Sequence, residues 1–124
     1  MPMAGCHKSR GKYIVTGGMC TEFENRIYSR AELREWEIDT NDFAFMDEVG
    51  EVEGTLCLKA AARDRMLRLF FVLSDGRKIL TPVFWWQRSE GFYDLRVGER
   101  YRLSYAPGKD GFVKLVSAVF LGGE

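Results

Sequence analysis

Residues 65–86 read RMLRLFFVLS-DG-RKILTPVFWW, two apolar runs of ten residues separated by Asp75-Gly76. Asp-Gly between such runs predicts a β-hairpin, because both residues tolerate positive φ. A two-residue loop sets Ser74 opposite Arg77, and the register then sets Val72 opposite Ile79, Phe70 opposite Thr81, Arg68 opposite Val83 and Met66 opposite Trp85. Strand neighbours alternate sides, so those ten side chains share one face. The opposite face carries Leu67, Leu69, Phe71 and Leu73 against Phe84, Pro82, Leu80 and Lys78. It is the purer apolar surface and is expected to face the interior. The mixed face sets Arg68 and Arg77 among Met66, Phe70 and Trp85, the pattern of an aromatic and basic platform. Pro82, which cannot donate a ladder hydrogen bond, fits a strand beside an edge or seam.

Outward from the hairpin, Glu51–Ala60 reads as a preceding strand with Gly54 set for a bend. Gln87–Val97 is a connector with one helical turn at Phe92–Leu95, and Arg100–Ala106 and Phe112–Leu121 are two further strands around the turn Pro107–Gly111. The first 48 residues differ in character. Met1–Gly11 is polar, Lys12–Thr16 and Met19–Tyr28 pattern as a second hairpin around Gly17-Gly18, and Ser29 with Glu32 forms a capping box for a helix ending at Trp36. The division expected is an N-terminal extension, 1–48, packing on an all-β domain, 49–124. The extension brings Phe23, Ile27, Trp36, Phe43 and Phe45. An acidic, aromatic layer of that kind is a natural cover for the mixed face, which otherwise stays open to a ligand.

Val52-Glu53-Gly54-Thr55-Leu56 resembles an OB first strand bent at its glycine, and Leu95-Arg96-Val97-Gly98-Glu99-Arg100-Tyr101-Arg102-Leu103 resembles the L-x-V-G-x-x-Y-x-L entry to an OB fourth strand. Over residues 49–121 the chain therefore resembles the OB-fold, a small five-stranded Greek-key barrel. A different small barrel, or a sandwich including the N-terminal hairpin, fits the same strands. The resemblance implies a ligand lying across strands two and three and touching the loops joining strands 1–2 and 4–5. The platform would be Arg68, Phe70, Arg77 and Trp85, with Lys59, Arg63 and Arg65 from the first loop and Lys109 from the second. Cations that follow phosphates beside rings that stack on bases suit single-stranded DNA or RNA. The competing expectation is a protein-interaction or homo-oligomeric assembly module in which Phe70, Trp85 and Trp86 meet a polypeptide. A small-ligand barrel is a third.

Composition narrows the rest. The 124 residues are 46% hydrophobic and 29% charged, with 18 basic and 18 acidic side chains, a globular composition without a uniformly basic coat. The zero net charge is a cancellation: residues 1–57 sum to −5 and residues 58–124 to +5. Three cysteines are too few for a disulfide framework and suggest a reducing compartment. Cys57 reads as a small buried strand residue, and Cys6, His7 and Cys20 lack zinc-ligand spacing. Met3-Ala4-Gly5-Cys6 looks like a lipoprotein cleavage site, but no apolar stretch precedes it. No apolar run reaches the roughly 20 residues of a membrane span, so a cytoplasmic protein is expected. Phosphate-loop, nucleophile-elbow and zinc-protease motifs are missing from the sequence. The expectation is a binding module without catalysis, metal or cofactor.

Overall fold

The computed structural model describes Lys8–Ser9, Lys12–Tyr13 and residues 23–62, 66–84 and 91–123. The chain is mostly β, as expected. Strands β1 (Lys8–Ser9) and β2 (Lys12–Tyr13) pair with each other. The main sheet is built from β3 (Ile27–Tyr28), β4 (Ala44–Phe45), β5 (Gly50–Ala61), β6 (Leu67–Leu73), β7 (Lys78–Val83), β8 (Glu99–Pro107) and β9 (Val113–Gly123). Its order is β4-β7-β6-β5-β8-β9, with β3 paired to β5 off this path, so among the described residues β4 and β9 end the path. The sheet is open and mixed: β3 and β4 run parallel to their neighbours, while the other pairs are antiparallel.

Strand β5 organises everything else. Gly50–Thr55 pairs with β8, and Gly54–Ala61 pairs with β6. Where β8 no longer reaches, β3 pairs with Lys59 and Ala60. At Gly54, paired to both Leu73 and Tyr101, the strands approach closely: an added Cβ would lie 2.8 Å from Leu73 Cδ2 and 3.2 Å from the Val72 carbonyl oxygen. The glycine that reads as a bend is therefore a contact point between strands.

The central hairpin forms with a register one residue away from the expected one. Val72 faces Lys78, Phe70 faces Leu80 and Arg68 faces Pro82. The loop holds three residues, Ser74-Asp75-Gly76, closed by Leu73 N–H to the Arg77 carbonyl (2.8 Å) and Gly76 N–H to the Leu73 carbonyl (2.9 Å). Gly76 is left-handed at φ 93°, as three-residue hairpin loops require. The Asp75 carboxylate selects this form by accepting from both the Arg77 backbone N–H (3.0 Å) and Nε (2.9 Å). The shift leaves β6 facing as expected and exchanges the two faces of β7. Ile79, Thr81 and Val83 point inward, and Lys78, Leu80 and Pro82 point the other way.

Two apolar cores result, one on each side of β6. The inner core joins Leu56, Leu67, Leu69, Phe71 and Leu73 to Ile79, Val83, Phe92, Tyr101, Leu103, Tyr105 and Leu115. Across it, the Thr81 and Tyr105 hydroxyls hydrogen-bond at 2.7 Å, and burial pushes the Tyr105 phenol up to about 12. The second core sets Phe23, Tyr28, Ile38 and Phe43 against Leu58, Ala60, Phe70 and Val72. Helix α1 (Arg30–Glu35) has the expected capping box: Ser29 Oγ accepts from Glu32 N, and Glu32 accepts from Ser29 N. The hairpin expected over residues 12–28 lies partly outside the described residues. β2 pairs with β1, and among the described residues of the later run Ile27–Tyr28 is strand, parallel to β5. Gly54→Ala should lower stability by roughly 1–3 kcal/mol through overpacking, read in denaturant titration as a lower midpoint with unchanged slope.

Candidate interaction surface

The residues expected to form one platform do not share one exposed surface. Phe70 is 1% exposed, and the Phe43 ring stands edge-on to it at a centroid distance of 5.1 Å. Its ring faces the N-terminal layer, so it is unavailable for stacking. Arg68, two residues earlier on the same side, is exposed. Arg77 ends the hairpin loop and is bound to Asp75 (2.9 Å) and Glu48 (2.8 Å). Lys109 is exposed in the 3-10 turn Lys109–Gly111 between β8 and β9. Trp85, Trp86, Arg63 and Arg65 lie outside the described residues.

Lys59 needs correcting as a loop cation. It sits within β5, 5% exposed, and its ammonium donates to the backbone carbonyls of Leu95 (2.8 Å) and Tyr93 (3.3 Å). The cause is a register shift between Leu56 and Leu58, which leaves Cys57 as an extra residue. A bulge reverses the facing of all that follows. Leu56 enters the inner core, Leu58 and Ala60 enter the second, and Lys59 is turned under the connector. Cys57 is buried as expected, but it is also disulfide-bonded, and the other cysteines lie outside the described residues.

The cover over Phe70 is tied down by polar contacts. Arg26 bridges Glu24 and Glu32 at 2.8 Å each and lies 3.9 Å from the centre of the Tyr28 ring. The Arg26 guanidinium, with the Ser29 backbone N–H, holds the Glu32 carboxyl down at about 2. Asn25 Oδ1 accepts from Val97 N at 2.9 Å, joining this layer to the connector before β8.

Exposed apolar side chains gather instead at the far edge. Phe112 is 73% and Phe120 58% exposed, with Val116 and Val119 also open to solvent. All four lie on or just before β9. The β8–β9 pairing shifts register twice, between Arg100 and Tyr101 and between Ser104 and Tyr105, leaving Leu121 and Val116 as unopposed extra residues. Phe120 packs edge-on to Tyr101 at 6.0 Å while keeping its outer side open. From Val113 to Gly123 the only charged residue is Lys114, and proline does not occur. Lysines and bulges ordinarily blunt a strand edge, and here they are Lys114 and the two register shifts. Phe112–Leu121 was legible as a strand, and its sparse charge was the available signal. Its position at the edge depends on strand order.

Among the described residues, no cluster of three His, Cys, Asp or Glu side chains could hold a metal, and no helix is long and apolar enough to cross a membrane. Compared with known family models, curated proteins and solved structures, the chain matches none.

Two measurements check these assignments. Phe70→Ala should cost about 3–5 kcal/mol of unfolding free energy, the range for emptying a buried aromatic site, whereas Arg68→Ala should stay within about 0.5 kcal/mol. Burial, with Arg96 adding and Asp94 opposing, pushes the Lys59 ammonium below the ordinary lysine range. The unfolded chain then holds this proton more tightly, so stability should rise with pH as the ordinary lysine range is approached from below. Lys59→Met changes absolute stability by losing two hydrogen bonds, but removal of that slope in urea unfolding at pH 7–10 reports the buried ammonium.

Proposed function

We propose that this protein is a non-catalytic binding module, and that its ligand is a polypeptide docking along β9. The scaffold is read as OB-like over residues 49–121. Support comes from the order β7-β6-β5-β8-β9 and from a long first strand that serves both β6 and β8. Apolar side chains left open together on one strand mark a surface for a protein partner. The observation carrying this reading is the group of exposed apolar side chains Phe112, Val116, Val119 and Phe120 on and just before β9. Burying each such side chain contributes about 1.5–3 kcal/mol.

The nucleic-acid reading of the central hairpin has lost its ring at Phe70 and its cation at Lys59. Arg77 already holds two carboxylates, so among the described residues that reading keeps the exposed Arg68 and Lys109. A photo-crosslinking residue at position 119, in the full chain within an extract of the source cells, should yield a polypeptide adduct that Phe120→Asp abolishes. Adducts to nucleic acid, or none at all, would overturn the proposal.

A further inference from the structure

The cations available near β9 are concentrated at one end of it. Residues 107–123 hold two lysines, Lys109 and Lys114, and one acid, Asp110. Both lysines are exposed, and among the described residues neither side chain is hydrogen-bonded or ion-paired. Other charges close to the strand are already engaged. Arg102 reaches Glu53 at 3.8 Å, Arg96 holds Glu99 at 3.0 Å, and Arg100 also has a partner. At the start of β5, Glu48 is bound to Arg77 and Glu51 accepts from Ser104 Oγ.

The turn from β8 to β9 places the two lysines on either side of an open ring. Phe112 N–H donates to the Lys109 carbonyl (3.2 Å), Gly108 N–H donates to the Phe112 carbonyl, and Gly111 is left-handed at φ 78°. A Cβ added at Gly108 would lie 3.7 Å from Lys114 Cβ, so Lys114 starts beside the turn that carries Lys109. Phe112, between them in sequence, is 73% exposed. Beyond Lys114 the exposed side chains Val116, Val119 and Phe120 continue without any further charge on the strand. From residue 112 to residue 120 an extended chain spans about 25 Å.

Resting on the reading of β9 as the docking surface, we infer that its occupant is a polypeptide segment with carboxylates at one end and apolar side chains along the rest. The acidic end lies at Phe112, where Lys109 and Lys114 have no carboxylate of their own, and the apolar length covers Val116, Val119 and Phe120. Apolar contact supplies most of the attraction, while the charge sets the direction of the segment and its encounter rate. A basic segment would set cation against cation at that end. A lipid surface would engage the turn alone, whereas the open apolar side chains extend along the strand.

Fluorescence anisotropy on the full chain tests this with three labelled peptides that share one apolar sequence and end in aspartates, glutamines or lysines. At about 50 mM salt the aspartate-ended peptide should bind roughly fivefold more tightly than the glutamine-ended one, as two solvent-exposed ion pairs contribute, and the lysine-ended one should bind weakest. The difference should vanish near about 500 mM salt, where exposed charges are screened. Lys109→Glu with Lys114→Glu should reverse the order. Equal binding of all three peptides, or a preference that survives the double reversal, overturns the inference. If the three bind equally and Phe120→Asp abolishes all of them, β9 remains a docking surface and only the acidic end of its occupant is excluded. If none binds, the inference fails, and the position-119 crosslinker decides whether β9 docks a polypeptide at all. Co-sedimentation with phosphatidylserine vesicles that the double reversal abolishes, without peptide binding, would assign the lysines to a lipid surface instead.

Discussion

Strand β5 has to satisfy two cores at once. Before Cys57, Val52 and Leu56 face the interior beside β8, whereas beyond it Leu58 and Ala60 face the N-terminal layer. A regular strand cannot do this, because its period of two keeps residues 52, 56, 58 and 60 on one side. The extra residue at Cys57 resolves the conflict by reversing the facing of the second half. The cost is that Lys59, otherwise outward, points beneath the connector. Its ammonium is met there by the carbonyls of Tyr93 and Leu95, which supply the hydrogen bonds that a buried charge needs.

The same reversal shapes the sheet. It turns the C-terminal half of β5 toward β3, which occupies the length that β8 has left. Residues 23–46 are thereby more than an appendage, since they contribute β3 and β4 to the sheet and Phe23, Tyr28, Ile38 and Phe43 to its second core.

Much of this architecture was legible in the sequence. Alternation and turn residues located β5, β6, β8 and β9 within two residues and β7 within three, and the Ser29–Glu32 pair located the helix. Local patterns could not fix register or strand order. Asp75-Gly76 suits a two-residue or a three-residue loop, and the choice depended on the Asp75 carboxylate reaching Arg77. Nothing near Cys57 marks a bulge, so Lys59 read as a loop cation. The platform failed for a different reason. Arg68 and Phe70 do share a face, but whether that face is wet depends on residues more than twenty positions away.

That cover also decides where a ligand can bind. For a base to stack on Phe70, Phe43 must leave, and Tyr28, Ile38 and Phe23 share its core. Exposing four such side chains would cost on the order of 6–12 kcal/mol at 1.5–3 kcal/mol each. A stacked base returns only about 1–3 kcal/mol. The N-terminal layer therefore converts a potential binding face into core, and a ligand gains more from surface that is already open. Reaching the side chains on β9 does not require a packed core to be opened. Phe112, Val119 and Phe120 are already largely exposed, so covering their remaining open surface adds to binding.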